Sequence, residues 1–218
     1  RFIHLSKDIP MSGKEKIMTT QKIKTRVSTR ALVMTAMLSA VSFILMFLDF
    51  SVPFMPSFIK LDVSELPALI GSFSLGPVYG AVICLIKNLI NFFVRSNTGG
   101  VGELSNFLLG VMFVVPAGMI YQHKKNRKSA IIGSLVGAVC MAIGSCVTNI
   151  FLVYPIYYNF MDKETILAAY QAIVPSMKSV EQSIVCFNMP FTFVKGLLNA
   201  LITFVIYKRI SPVIKGRG

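Results

Sequence analysis

The chain has 218 residues, with 22 Lys and Arg against 9 Asp and Glu and a formal net charge of +13 at pH 7. Charged residues make up 14% of it and hydrophobic residues 54%, whereas soluble domains carry roughly 25% charged residues. This composition excludes an ordinary soluble domain, and because the basic residues flank long apolar runs, it also argues against a nucleic-acid-binding protein.

Four runs without Asp, Glu, Lys or Arg are long enough to cross a bilayer, for which a helix needs about 20 apolar residues. They contain 18, 21, 20 and 33 residues and follow Arg30, Glu65, Glu103 and Lys128. Because lipid offers no water to bond the backbone N–H and C=O groups, such runs fold as helices. The chain is therefore predicted to be an all-α integral membrane protein.

Proline and glycine divide these runs into separate helices. Two prolines in the segment 49–56 end the first helix, and Gly76-Pro77 splits the second run, since a Gly-Pro pair ends one helix and begins the next. The mixed, polar segment 154–182 is predicted to be external, with one amphipathic helix at 163–172. The prediction is a six-helix bundle with a short second helix, over about 30–48, 63–74, 77–94, 102–122, 129–153 and 183–207.

The positions of the basic residues predict the orientation, because Lys and Arg collect in cytoplasmic segments. Segments 1–30, 124–128 and 208–218 hold 16 of the 22 basic residues, and six helices place all three on one side. We therefore expect a cell-membrane protein with both termini cytoplasmic. Met11 or Met18 is the expected native start, after residues 1–10. The expected parts are a basic arm at 1–29, a membrane domain at 30–208 and a basic tail at 209–218.

Polar side chains form a stripe along the sixth helix. Asn188, Thr192, Lys195 and Asn199 are spaced by four, three and four residues, so they share one helix face. A lysine in a membrane helix costs about 3 kcal/mol or more on insertion, which makes Lys195 a candidate functional residue. We expect Asn188, Thr192 and Lys195 to face a solute, with hydrogen bonding between helices as the alternative.

A second candidate group lies on the third and fourth helices, near their outer ends. Lys87 and Asn91 belong to the third helix, and Glu103 and Asn106 begin the fourth. Two interpretations stay open here, ligand contact and a structural ion pair between Lys87 and Glu103 across the external turn.

The fifth helix contains many small residues, which predicts close packing against a neighbour and makes Ser145 a packing residue. Thr148 and Asn149 lie near its outer end and are better placed to contact a ligand. Asp62 and Glu65, at the start of the short second helix, suit its positive N-terminal end, so capping is favoured over a substrate role.

The external segment 50–58 is apolar although it follows Asp49 at the water side. Its large side chains would be poorly placed in water, so the segment is predicted to fold over the helix bundle as a lid. A flat apolar ligand fits beneath such a lid. The lid residues are Phe54, Met55 and Phe58.

The sequence argues against an enzyme. It contains no G-x-x-x-x-G-K-[ST], G-x-S-x-G or H-E-x-x-H motif, and His4 and His123 are its two histidines. We therefore expect no catalytic residue, no metal site, no catalytic cofactor and no ATP hydrolysis by this chain. Binding or passage of a solute remains.

Five segments together form a pattern that is typical of one protein family. They are Ala36-x-x-x-Ala40, Lys60-Leu61-Asp62-Val63-Ser64-Glu65-Leu66-Pro67-Ala68-Leu69-Ile70-Gly71 with Gly76-Pro77, Lys87-Asn88-Leu89, Gly102-Glu103-Leu104-Ser105-Asn106-Phe107 and Phe193-Val194-Lys195-Gly196. Over about residues 29–208 the chain therefore resembles the substrate-binding S-components of energy-coupling factor (ECF) vitamin transporters, and most closely the riboflavin-specific member.

This resemblance implies an outward-opening ligand pocket capped by the loop after the first helix. It implies that Ala36 and Ala40 dock on a transmembrane coupling (T) protein, which two cytoplasmic ATPases drive. It also implies that Asn149, Asn188 and Lys195 bind the ligand.

The implied ligand is riboflavin, with FMN as a second ligand because Lys195 or Lys87 can accommodate a phosphate. Its aromatic walls are expected from Phe54, Phe58, Tyr154 and Phe191. The alternatives are an S-component for another vitamin and a stand-alone secondary transporter. The secondary transporter is disfavoured, because the sequence shows neither a repeat relating its two halves nor a pair of carboxylates within the membrane.

Overall fold

A computed structural model describes residues 28–53, 55–56, 59–96, 99–159 and 161–215, with side chains as far as residue 206. Nearly all of the predicted arm and the side chains of the predicted tail lie outside the described residues. Phe54 and Phe58 of the predicted lid also lie outside them.

The described chain is mostly helical, with one short hairpin in which Phe50 pairs with Leu61. The long helices are α1 (Thr29–Met46), α3 (Pro77–Arg95), α4 (Val101–His123), α5 (Arg127–Thr148) and α9 (Met189–Lys215). The shorter elements are β1 (Phe50–Ser51), β2 (Lys60–Leu61), α2 (Glu65–Ser74), α6 (Tyr154–Tyr157), α7 (Lys163–Gln171) and α8 (Val180–Ser183).

Two π-helical turns, in which the backbone bonds span five residues, interrupt the helical bonding. The turn π1 (Asn149–Val153) joins α5 to α6, and the turn π2 (Ile184–Asn188) joins α8 to α9. Each therefore lies within a longer continuous helix. Asn149 and Val153 of π1 and Asn188 of π2 line a cavity in the bundle.

Within the described residues, five helical segments are long and apolar enough to cross a membrane, judged by length and composition. The ten-residue α2 is too short to do so alone, because it extends only about 15 Å at 1.5 Å per residue. It is instead buried within the bundle along its length from Glu65 to Phe73. The predicted all-α membrane fold with a short second helix is thus confirmed, with α2 as the sixth helix.

The division between α2 and α3 occurs at the predicted Gly-Pro pair. Gly76 has φ 127°, a conformation that residues with a Cβ rarely adopt, and Pro77 is the first residue of α3, where its missing N–H costs little. The chain therefore turns back sharply, and α3 packs against α2.

Helices α4 and α5 approach each other closely, as the small residues of α5 predict. A Cβ added to Gly133 would lie 2.7 Å from the carbonyl oxygen of Ala117, and one added to Gly137 would lie 2.4 Å from that of Phe113. Both distances are shorter than real Cβ contacts allow, so glycine is required at these two positions.

The fifth helix extends beyond its predicted end. The sequence suggested an end near Tyr154-Pro155, but the helix continues through π1 and α6 to Tyr157. Pro155, which has no N–H to donate, comes just after π1, so the proline falls where the regular α-helical bonding is already interrupted. Tyr154 therefore belongs to a wall of the helix bundle and not to an external loop.

An apolar cluster at the end of the bundle opposite the α4–α5 turn holds the short helix α7 in place. Ile166 and Tyr170 of α7 belong to one cluster with Val153, Tyr154, Val180 and Ile184. This helix was predicted at 163–172 and is found at Lys163–Gln171. Its contacts fix α7 against both π-helical turns.

Candidate ligand cavity

A cavity of about 780 Å³ lies at the end of the bundle opposite the α4–α5 turn. Its walls come from the hairpin region, the end of α3, the first half of α4, the end of α5 with π1 and α6, and the start of α9. The volume falls within the range of about 300–1,000 Å³ that is typical of small-molecule sites. The predicted ligand residues that line it are Asn91, Glu103, Asn106, Asn149, Asn188, Thr192 and Lys195.

Each π-helical turn places one asparagine in the cavity wall. Asn149 is the first residue of π1 and Asn188 is the last residue of π2. A π-helical turn adds a residue to one helical turn and so changes where the neighbouring side chains point, and such turns are frequent at functional sites. The two turns therefore give α5 and α9 a local geometry that a regular helix would not supply.

Ser145 connects these two helices and also lines the cavity. Its hydroxyl oxygen accepts a hydrogen bond from Asn149 Nδ2 at 3.0 Å and is 3.1 Å from the Thr192 hydroxyl, which donates to it. The prediction that Ser145 serves packing alone is therefore incomplete. It holds the side chains of Asn149 and Thr192 at the cavity surface.

Lys195 lies at the inner part of the cavity wall and is paired with a carboxylate. Its Nζ is 2.8 Å from Asp62 Oδ2, and both side chains are only 6% exposed. The same Nζ is 3.5 Å from Glu65 Oε2 and 3.5 Å from Asn106 Oδ1. The ammonium is therefore held where α9 meets α2 and α4, and Lys195 forms part of the cavity lining.

Lys87 is placed differently from either interpretation of the sequence. It is fully buried, does not line the cavity, and donates to Glu65 at 3.0 Å and to the Ser64 hydroxyl at 2.6 Å. The ion pair between Lys87 and Glu103, one of the two interpretations that the sequence left open, is therefore not formed, and neither is contact with the cavity. Glu103 instead accepts hydrogen bonds from Asn91 at 2.9 Å and from Ser96 at 3.2 Å.

Asp62, Glu65, Lys87 and Lys195 form what we call the buried charge quartet. Its two carboxylates and two ammonium groups balance in charge, which offsets the large cost of placing single charges inside a membrane protein. Helix capping, which the sequence favoured, is a minor role here: Asp62 accepts from the Ser64 N–H at 2.9 Å, but its other oxygen binds Lys195.

Two other predicted ligand residues lie outside the cavity wall. The Thr148 hydroxyl donates to the carbonyl oxygen of Gly144 at 2.8 Å and is buried in the helix packing. Met55 is half-buried and is absent from the cavity lining, although Ile59 of the same loop lines it. Of the predicted aromatic walls within the described residues, Tyr154 and Phe191 both line the cavity.

A charged group that the sequence did not predict lies at the mouth of the cavity. The Asp49 carboxylate is 3.0 Å from Lys60 Nζ and 2.9 Å from Arg95 Nη2, and all three residues line the cavity. Burial acts to raise the pKa of Asp49, but the hydrogen bonds from Lys60 and Arg95 outweigh it and hold the pKa below its ordinary value. This group ties the end of α1 to β2 and to the end of α3.

The predicted docking residues lie on the surface of α1. Ala36 and Ala40 are exposed, whereas Thr35, Ser39 and Ser42 face the bundle. The exposed face continues with larger apolar side chains, so that the two alanines form a shallow depression on it. Those side chains include Leu32, Val33, Met37, Val41 and Ile44.

Comparison with known proteins gives consistent matches over most of the chain. Residues 30–207 match the family described as "ECF transporter, substrate-specific component". The chain is 32% identical over 208 residues to the riboflavin transporter RibU of Staphylococcus aureus (strain TCH60), a match that covers 94% of this chain and 99% of RibU.

A second relative is the riboflavin transporter FmnP of Bacillus subtilis (strain 168), 27% identical over 188 residues, with 85% of this chain and 94% of FmnP covered. The fold also matches a solved structure described as "Structure and mechanism of the S component of a bacterial ECF transporter". That match has a TM-score of 0.67 at 31% identity and covers 85% of this chain and 98% of the other.

Proposed function

Because the chain belongs to the substrate-specific components of ECF transporters, we propose that it captures riboflavin at the outer face of the cell membrane and delivers it to an ATP-driven transport complex. The observation that carries this proposal is the cavity of about 780 Å³, into which buried amides and an ammonium project from membrane helices. The names of the curated relatives, riboflavin transporters, support the choice of vitamin.

The chemistry of riboflavin suits this lining. Its isoalloxazine ring system is flat and largely apolar, with hydrogen-bonding atoms on its edge, and its ribityl chain carries hydroxyl groups. We propose that Tyr154 and Phe191 contact the flat ring faces and that amides bond the polar edge. The proposed polar contacts are Asn149, Asn188, Thr192 and Lys195 on one side and Asn91, Glu103 and Asn106 on the other.

We propose that the apolar loop after α1 acts as a lid over the bound ligand. Phe54, Met55 and Phe58 would close over the bound ring and exclude water from the hydrogen bonds beneath. The group at the cavity mouth formed by Asp49, Lys60 and Arg95 anchors the loop that carries these residues, because β1 directly follows Asp49 and β2 begins at Lys60.

FMN is proposed as a second, weaker ligand. A phosphate requires a cation, and the cations in the described cavity lining are Lys60, Arg95 and Lys195. Each of them is already paired with a carboxylate, so phosphate binding must compete with an existing ion pair. Lys87 is removed from the proposed phosphate site because it does not line the cavity.

A fluorescence titration tests the proposed ligand. Purified protein in detergent is expected to quench riboflavin fluorescence in a saturable manner and FMN fluorescence at higher protein concentration. Riboflavin that keeps its full fluorescence at saturating protein would overturn the assignment. Displacement of riboflavin by a different vitamin at lower concentration would point to an S-component for that vitamin.

We further propose that the chain works with a T protein and two cytoplasmic ATPases and lacks transport activity alone. Both termini, with the basic arm 1–29 and the tail 209–218, are then cytoplasmic. In this arrangement the exposed Ala36 and Ala40 of α1 form the contact with the T protein, since small residues let helices approach closely. Riboflavin uptake by cells or vesicles holding this chain alone would favour a stand-alone secondary transporter.

Substituting Ala36→Leu is expected to abolish uptake by the assembled complex while leaving riboflavin affinity unchanged within about twofold, because Ala36 lies outside the cavity but on the proposed helix contact. The measurements are vitamin uptake in cells and fluorescence titration of the purified variant. Val205→Leu, at a position that is 71% exposed on α9, is the matched control for added bulk on a lipid-facing helix surface. Normal uptake by Ala36→Leu would exclude docking at this face.

A further inference from the structure

Asn188, Tyr154 and Tyr170 form a closed ring of hydrogen bonds beside the cavity. The Tyr170 hydroxyl donates to Asn188 Oδ1 at 2.9 Å, and Asn188 Nδ2 donates to Tyr154 Oη at 3.3 Å. The two tyrosine oxygens are 2.5 Å apart. Because Tyr170 gives its single hydroxyl hydrogen to Asn188, Tyr154 supplies the hydrogen between the two tyrosines. Each group thus donates once and accepts once.

Two members of this ring line the cavity and the third does not. Asn188 and Tyr154 lie in the cavity wall, whereas Tyr170 is fully buried behind it on the external helix α7. The Tyr170 ring packs against Phe187, with the ring centroids 5.5 Å apart. Tyr170 therefore acts on the cavity through hydrogen bonds and not through contact with its contents.

The ring determines what Asn188 presents to a ligand. An asparagine amide has two N–H donors and an oxygen with two lone pairs, and its terminal torsion is broad and roughly twofold. The ring of hydrogen bonds uses one N–H and one lone pair of Asn188. It thereby fixes the positions of the amide oxygen, toward Tyr170, and the amide nitrogen, toward Tyr154. One donor and one acceptor site remain for a ligand edge, in a defined arrangement.

We propose that Tyr170 is a positioning residue for flavin binding, which orients the amide of Asn188 from outside the cavity. This inference rests on the proposed function, because it takes riboflavin as the ligand. It assigns to the external helix α7 a part in recognition as well as in packing. A chain of hydrogen bonds in a buried site polarises its members in turn, so the ring also strengthens the N–H that Asn188 offers.

The substitution Tyr170→Phe tests this directly, because it removes the hydroxyl and keeps the ring that packs in the apolar cluster. We expect the riboflavin Kd from fluorescence titration to rise about 5- to 30-fold, because the Asn188 amide is no longer held in the orientation that the ligand edge requires and binding must fix it. Tyr121→Phe is the matched control: Tyr121 is a buried tyrosine of α4 outside the cavity lining, and its variant is expected to bind as the unmodified protein does.

A double-mutant cycle with Asn188→Ala separates positioning from a general structural role. In the Asn188→Ala background, Tyr170→Phe is expected to change the Kd by less than about twofold, because no amide is left to orient. Equal losses in both backgrounds, or an unchanged Kd for Tyr170→Phe alone, would overturn the inference while leaving riboflavin binding intact. Unquenched riboflavin with the unmodified protein would overturn the proposed function and this inference with it.

Discussion

Replacing Lys87 with methionine is expected to lower the free energy of unfolding by about 3–5 kcal/mol, which is the usual cost of breaking a buried ion pair by removing one partner. Lys87 is fully buried, 3.0 Å from Glu65 and 2.6 Å from the Ser64 hydroxyl. Without Lys87, the cation nearest to the Glu65 carboxylate in the quartet is Lys195, 3.5 Å away. Lys195 is already paired more closely with Asp62, at 2.8 Å. The measurement is denaturant-induced unfolding of the purified protein in detergent micelles.

Two controls isolate burial as the cause. Lys163 pairs with Glu181 at 2.9 Å, nearly the same distance, but both side chains are about half exposed to solvent. Lys163→Met is therefore expected to lower the free energy of unfolding far less than Lys87→Met does, because solvent screens the exposed pair. Adding Glu65→Gln to Lys87→Met removes both charges and is expected to recover most of the lost stability. Equal effects for Lys87→Met and Lys163→Met would contradict the account of the buried charge quartet.

Replacing Lys195 with methionine is expected to raise the riboflavin Kd about a hundredfold, consistent with the loss of one partner from a buried, hydrogen-bonded charge pair at a binding site. The change removes the ammonium from the cavity wall and leaves the Asp62 carboxylate facing the ligand without its 2.8 Å partner. Fluorescence titration gives the affinity, and unfolding of the ligand-free protein gives the accompanying loss of stability.

The double variant with Lys195→Met and Asp62→Asn distinguishes binding from folding. Neutralising Asp62 removes the uncompensated charge, so stability is expected to return toward that of the unmodified protein while the affinity stays low. Recovery of affinity together with stability would show that Lys195 serves only to hold α9 against α2. Unchanged affinity in Lys195→Met alone would assign the stripe on α9 to helix packing.

Much of the fold was predictable because the membrane restricts what an uncharged run can form. The runs after Arg30, Glu103 and Lys128 became α1, α4 and α5 within a few residues of the expected bounds, and Gly76-Pro77 divided α2 from α3 as expected. The end of α5 was misplaced because π1 and α6 carry the helix through Pro155. Sequence patterns of period 3.6 do not reveal a local change to π-helical bonding.

The cavity was predictable in outline from polar residues on membrane helices. Asn188, Thr192 and Lys195 share a face by their spacing alone, and all three line the cavity. Pairing across distant parts of the chain was not predictable in the same way. The sequence alone allows Lys87 to pair with either Glu65 or Glu103. The packing of α2 against α3 brings Glu65, and not Glu103, next to Lys87.

Tyr170 shows the limit of the sequence argument most clearly. It lies on a short segment of mixed polarity, and nothing in the sequence around it distinguishes it from an ordinary packing tyrosine. Its connection to Asn188 arises because π2 places that side chain beside Tyr154, while the apolar cluster around Ile166 and Tyr170 packs α7 against the same wall. Both conditions depend on contacts between distant parts of the chain, so no sequence motif reveals them.

In the proposed function, the polar side chains of α5 and α9 face a captured flavin. An experimental density map of the purified protein with riboflavin added tests this most directly. The account predicts flavin density within the cavity, with its polar edge against Asn149, Asn188 and Lys195 and its ring beside Tyr154. A map with that space closed by side chains, or with the flavin bound elsewhere on the protein, would contradict it.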